Sequence, residues 1–233
     1  MSNQLSYLRT NKDRISLLHY ASTDVSKHPI KIPCVGIAEY SNRTVKVFSV
    51  VDKKDEKTAL QDFYDYVSHN PNNIYVGWNF KDVTYGLPVI ERRYTELFGR
   101  KPPEISSVFD LDDVIEELYG KLYVEHGRFG KMYTLFTLNE ISTLNFLGGK
   151  KEAELCEKND IRPVERSTAC KVHGMIGVLD LLINGRLKTT RTLIKCSKLR
   201  SAVHKIKDST FFWIITIIAT ILTIMGFLIW LTM

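Results

Sequence analysis

Apolar and polar positions fall into two β-branched runs, residues 32–40 and 44–51, separated by Ser41, Asn42 and Arg43. This pattern predicts an antiparallel hairpin. The residues ahead of it read as a polar arm with scattered apolar side chains. Beyond it the period lengthens. Leu60, Phe63, Tyr64 and Val67 recur at i, i+3, i+4 and i+7, and Thr58 with Gln61 forms a capping box. A helix is therefore predicted up to the turn at Asn70-Pro71-Asn72-Asn73. Residues 74–78 form a short apolar run of strand type, and residues 86–98 read as a helix with Pro88 in its tolerant first turn and Gly99 after it. Asp110 opens another helix, with Leu111, Val114, Ile115 and Leu118 on one stripe. Residues 120–157 read as short helices broken at Gly127, Gly130, Gly148 and Gly149, and Ser167-Thr168 open a helix that stops at Asn184-Gly185. The order strand, strand, helix, strand, helix, then further helices predicts an α/β domain with a mixed sheet over residues 1–185.

The end of the chain follows a different pattern. Residues 211–233 contain no charged side chain and four hydroxyl side chains. About 21 of them as helix would reach roughly 31 Å, enough to cross a bilayer core of about 30 Å. Trp213 and Trp230 stand near opposite ends, where interfacial anchors belong. Residues 209–233 are therefore expected to be one transmembrane helix.

Charge adds an orientation. Residues 186–208 carry Arg186, Lys188, Arg191, Lys195, Lys198, Arg200, Lys205 and Lys207 against Asp208, a net +7. The chain as a whole is +6 and residues 209–233 are neutral, which leaves −1 on residues 1–185. The basicity is thus a juxtamembrane collar facing anionic lipid, and it places the larger domain in the cytosol of a tail-anchored, single-pass protein, with a bacterial inner membrane as the expected site. Nucleic-acid binding does not follow from the overall charge. No N-terminal signal pattern is present. The four cysteines are widely spaced, which supports neither a zinc knuckle nor a disulfide frame.

Residues 77–90 read Gly-Trp-Asn-Phe-Lys-Asp-Val-Thr-Tyr-Gly-Leu-Pro-Val-Ile. With the hairpin, helix and strand before them, they resemble the W-N-(x)n-[FY]-D-x-P-x-[LI] element of DEDD 3′-5′ exonucleases, which have an RNase H-like fold. The stretch is also similar to an uncharacterised bacterial family with H-W-N-M-R-D-x-x-Y-G-F. That family's later motifs appear here at Leu118-Tyr119-Gly120, at residues 146–153, at residues 167–173 and at residues 185–189. The first resemblance implies an RNase H-like mixed sheet with flanking helices, and four carboxylates holding two divalent cations. The D-x-E of the first strand then reads Ile37-Ala38-Glu39. Gly86 stands where the second-motif aspartate would be, with Asp82 four residues earlier, and His173 stands where the bacterial family has aspartate. Asp180 follows two turns on along the same helix.

The four-carboxylate set is thus incomplete, and the resemblance implies a domain that has lost two-metal chemistry. The leading expectation is a catalytically degenerate domain that binds a protein partner or nucleic acid and couples this to the membrane, as a membrane effector in antiviral defence. Homo-oligomers through the transmembrane helix would serve such a role. The rival is a membrane-tethered exonuclease in which Glu39, Asp82 and His173, with Asp180 nearby, hold Mg²⁺ or Mn²⁺. For a binding surface the candidates are Trp78, Asn79, Lys81, Tyr85, Arg92 and Arg93: an aromatic face, an amide and cations, as used for stacking and phosphate contact. Trp78 reads equally as a strand-end core residue, and the arginines as a solvated helix face.

Overall fold

The computed structural model describes residues 3–53, 55–192, 219, 220, 222–224 and 227. It divides into two units, Met1–Thr189 and Thr190–Met233. The first extends a few residues past the predicted limit at 185. Leu187 and Thr189 are buried, and the Lys188 backbone exchanges hydrogen bonds with the Asn139 amide, so this segment is held as part of the domain.

The first unit is built on a mixed five-stranded sheet. Its strands are β1 (Ile15–Ala21), β2 (Cys34–Glu39), β3 (Val45–Ser49), β4 (Ile74–Gly77) and β5 (Val108–Asp110), in the order β3-β2-β1-β4-β5. β2 runs antiparallel to β1 and to β3, whereas β4 is parallel to β1 and β5 to β4. The predicted hairpin is β2-β3. β1 lies ahead of it, within the expected polar arm, and takes the centre of the sheet. Ile15, Ser16, Leu17 and Leu18 are all buried because neighbouring strands and both sheet faces cover them. A strand covered on both faces shows no alternation, and this one carries Ser16 and His19 as well, which hides it in the sequence.

Alternate residues feed two cores on opposite faces. Leu5 and Leu8 of α1 (Asn3–Thr10), Ile15 and Leu17 of β1, Ala38 of β2 and Ile74 and Val76 of β4 pack with α5 (Leu111–Tyr119), α6 (Gly130–Leu138) and α8 (Ile161–Ile183). Leu18, Val35, Ile37, Phe48 and Tyr75 pack with α3 (Glu56–His69), which follows the short α2 (Val50–Lys53), and with α4 (Leu87–Phe98). The arrangement is a mixed sheet with helices on both faces, which fits the RNase H-like layout expected.

Two helix starts differ from the sequence reading. α3 is capped by Asp55, whose carboxylate accepts from the Thr58 N–H at 2.8 Å, so the charged residue upstream displaces Thr58 as the cap. α8 begins at Ile161, six residues before Ser167. Ser167 and Thr168 lie fully buried inside it, and Thr168 crosses β2 so closely that a side chain at Gly36 would collide with it.

In the second unit, residues 219, 220, 222–224 and 227 are helical, with Leu222, Ile224 and Phe227 exposed. The rest of the expected span lies outside the described residues, as do Lys195, Lys198, Arg200, Lys205 and Lys207 of the collar. Among the described residues no helix is long and apolar enough to cross a membrane.

Candidate functional site

A cavity of about 650 Å³ opens where β1 and β4 end at their carboxyl edges. Open α/β sheets hold ligands at such edges because loops diverge there and leave a crevice. β1 contributes His19 and Tyr20 to the cavity lining, and the segment that follows adds Asp24 and Lys27. Trp78, Asn79 and Tyr85 line it from the β4–α4 connection, and α7 (Gly149–Glu157) supplies a third wall through Lys150, Glu152 and Ala153. Lys27 reaches across to Glu157 of α7 at 3.0 Å.

The β4–α4 wall is shaped by two residues. Asp110, at the end of β5, accepts backbone N–H bonds from Asn79, Phe80 and Lys81 (3.1, 2.6 and 3.4 Å) while also capping α5. Asn79 adopts φ 53°, the left-handed turn that points these amides one way. Burial, reinforced by the Asp113 charge, raises the Asp110 carboxyl above its ordinary range, and the amides oppose that shift. Asp82 then folds the loop back, its carboxylate accepting from the Thr84 and Tyr85 N–H groups (2.7 and 3.1 Å). A Cβ on Gly86 would stand 2.3 Å from the Phe80 carbonyl oxygen, so this backbone approach admits only glycine. An aspartate at that position is therefore sterically barred.

Lys171 of α8 also lines the cavity, paired with Glu152 at 2.5 Å with side chains only 5% and 6% exposed. Ser167 donates to the other Glu152 oxygen at 2.6 Å and accepts from the Leu147 N–H at 2.9 Å. The Lys171 ammonium also sits 4.9 Å from the Phe146 ring centre. Next to this group, the His19 Nε2 is buried without a hydrogen-bond partner. Burial first, and then the Lys171 charge, hold the His19 imidazole well below the ordinary histidine range. The ring is neutral at neutral pH.

The residues expected to hold a metal are dispersed. Glu39 pairs in register with Ser16, about 13 Å along β1 from Tyr20 at a strand rise of 3.3 Å. Its carboxylate accepts from Tyr66 and Asn42 at 2.9 and 2.6 Å. Asp82 is exposed and engaged in its own turn, and His173 is exposed on α8. Asp180 binds Tyr40 (3.0 Å) and lies 3.8 Å from Arg43, at the Glu39 end of the sheet. The first strand of the sheet is Ile15–Ala21, where the sequence reading placed residues 37–39, and it contains neither aspartate nor glutamate. Among the described residues no group of three or more His, Cys, Asp or Glu is gathered closely enough to hold a metal ion. The donor set thus does not fit a two-cation centre.

The binding-surface candidates divide. Trp78, Asn79 and Tyr85 line the cavity, and Trp78 also packs on the core, as its reading as a strand-end core residue expects. Lys81 pairs with Asp113 at 3.1 Å. Arg92 is exposed beside Tyr20, lowering that phenol against the larger effect of burial. Arg93 is committed to Glu56 (2.6 Å) and Glu96 (3.1 Å), and Glu56 also accepts the Ile32 N–H, so this arginine fastens α3 to α4. Of the collar, Lys188 pairs with Glu140 at 2.6 Å, Arg186 is exposed and Arg191 lies in the second unit. Sequence reasoning missed His19, Glu152 and Lys171. The signal available was a histidine inside an apolar run and a lone lysine on the apolar face of a long helix.

Fold and site define a mixed α/β domain with a ligand-sized cavity at its sheet edge. No protein-family model matches the sequence, and no curated protein matches it. Among solved structures the chain is similar to the EXO domain of Aedes aegypti Nibbler, at 12% identity over 79% of this chain and 90% of that one, with a TM-score of 0.36.

Proposed function

We propose that this chain is a membrane-tethered binding protein whose RNase H-like domain recognises its ligand or partner through the sheet-edge cavity and does not hydrolyse nucleic acid. The observation that supports this best is the buried Lys171–Glu152 pair in the cavity lining. Two-metal hydrolysis needs carboxylates left free to hold cations about 3.5–4 Å apart. Here β1 offers none, and the carboxylate of Glu152 is neutralised by an ammonium group. The tether rests on the uncharged residues 211–233 and the basic segment before them. In its most specific form the reading makes the chain an effector in antiviral defence, in which occupancy of the domain drives association of the spans.

The test uses the full chain in detergent micelles with labelled single-stranded RNA and DNA in Mg²⁺ and in Mn²⁺. Both substrates are expected to stay intact. Metal-dependent cleavage that Glu39→Ala, Asp82→Ala or Glu152→Gln abolishes would establish the exonuclease instead.

A further inference from the structure

The sheet ends at β3, and the hydrogen bonds of the hairpin fix which backbone groups of that strand face away from β2. The Glu39 N–H donates to the Thr44 carbonyl and the Val50 N–H to the Pro33 carbonyl, both at 2.9 Å. With Ile37 opposite Lys46 and Val35 opposite Phe48, antiparallel alternation turns the N–H and C=O groups of residues 44, 46, 48 and 50 toward β2 and those of Val45, Val47 and Ser49 outward. Among the described residues, the outward backbone groups of Val45 and Val47 make no hydrogen bond. Lys46 is exposed and both valines are half-buried. Such a row is a template for a further strand.

A groove of about 570 Å³ lies beside this edge, and its charge selects what a further strand must carry. Lys46, Val47 and Phe48 line it with Asp52 of α2 and Asp62 and Asp65 of α3. Its two lysines are engaged: Lys53 is held by Asp62 at 2.7 Å, and the Lys46 ammonium lies 4.8 Å from the Phe48 ring centre and 5.5 Å from that of Tyr66. Asp52 and Asp65 are exposed, and neither forms an ion pair among the described residues. The groove therefore suits a strand that presents a cation between apolar side chains. Val45-Lys46-Val47 is itself such a strand.

We infer that two copies of this chain associate edge to edge, β3 against β3, in an antiparallel pair centred on Val47. That centre sets Val47 opposite its own copy and Val45 opposite Ser49, so every outward residue of the strand is paired. It also sets Lys46 of each copy opposite Phe48 of the other, at the groove that Asp52 and Asp65 line. A pairing centred on Lys46 would instead set two ammonium groups face to face. The inference goes beyond the binding reading and does not depend on the cavity, and it supplies the association of chains that an effector needs.

Amide hydrogen exchange on the full chain in detergent micelles tests it without a variant. The Val45 and Val47 amides are expected to be protected where sedimentation shows association, and to lose about tenfold or more of that protection on dilution to the monomer. Val47→Pro removes an outward N–H, which an edge strand tolerates, and is expected to weaken association about tenfold or more while the melting temperature is retained. Lys46→Glu is expected to weaken it too, because it brings a carboxylate to Asp52 and Asp65. A chain that stays monomeric, or that associates with both amides unprotected, overturns the inference. Protection that does not change with concentration would assign the edge to a segment of the same chain, and protection gained only on adding the synthetic peptide Val-Lys-Val-Lys-Val would assign it to a foreign strand. Either result overturns the inference and leaves the nuclease test untouched.

Discussion

Lys171 and Glu152 form a buried ion pair in the cavity lining. Both side chains are almost fully buried, so neither charge is tolerable without the other. Lys171→Met and Glu152→Gln are each expected to cost about 3–5 kcal/mol. The double variant should cost far less than their sum, because it leaves no stranded charge. Urea unfolding of the four proteins measures this coupling, and additive losses would show that the two groups act independently. His19 gives a pH signature. Its folded-state pKa lies below the unfolded value of about 6.5, so as pH falls the unfolded chain takes up the proton first. The stability contributed by the neutral ring is complete above about pH 6.5 and is lost below it, at up to about 1.4 kcal/mol per pH unit. His19→Gln should flatten that part of the stability profile between about pH 7 and 5. An unchanged slope would assign it to other groups.

The β4–α4 connection is the element on which the cavity depends. Asp110 gathers three consecutive amides, and bonds to a charged acceptor contribute about 1.5–3 kcal/mol each where they are well formed. Asp110→Ala is therefore expected to speed hydrogen exchange at Asn79, Phe80 and Lys81 well before it unfolds β2 and β3. Uniform acceleration across the sheet would mean that the clamp is not local. Gly86→Ala forces a Cβ against two carbonyl oxygens and is expected to destabilise the domain by about 1–3 kcal/mol, read by thermal melting. The same connection was legible in the sequence as a Trp-Asn turn before a helix with Pro88 near its start. Its partner Asp110 was legible only as the cap of α5, because the bonds to residues 79–81 span some thirty positions.

At the scale of the molecule, a near-neutral domain is followed by a basic, then apolar, C-terminal segment. The full chain is expected in the alkali-resistant membrane fraction, and a chain ending at Thr189 in the supernatant. Retention of the shorter chain in the membrane would move the attachment to the domain itself. The dispersal of Glu39, Asp82, His173 and Asp180 also belongs to this scale. Glu39 and Asp180 lie at one end of the sheet, and the Asp82 loop lies at the other.

Local pattern alone determined the β2-β3 hairpin, α3, α4 and α5, because the strands are apolar, β-branched runs and the helices repeat their apolar positions every 3.6 residues. It also determined the mixed α/β class. The tertiary structure decided the rest. It placed Ile15–Ala21 at the centre of the sheet, although Ser16 and His19 interrupt the kind of apolar run that marks β2 in the sequence. It brought residues 19, 152 and 171 to one cavity through β1, α7 and α8, elements whose contact leaves no trace in local spacing. Burial lowers the His19 pKa and encloses the Lys171–Glu152 pair, and such desolvation is a property of the packed chain alone.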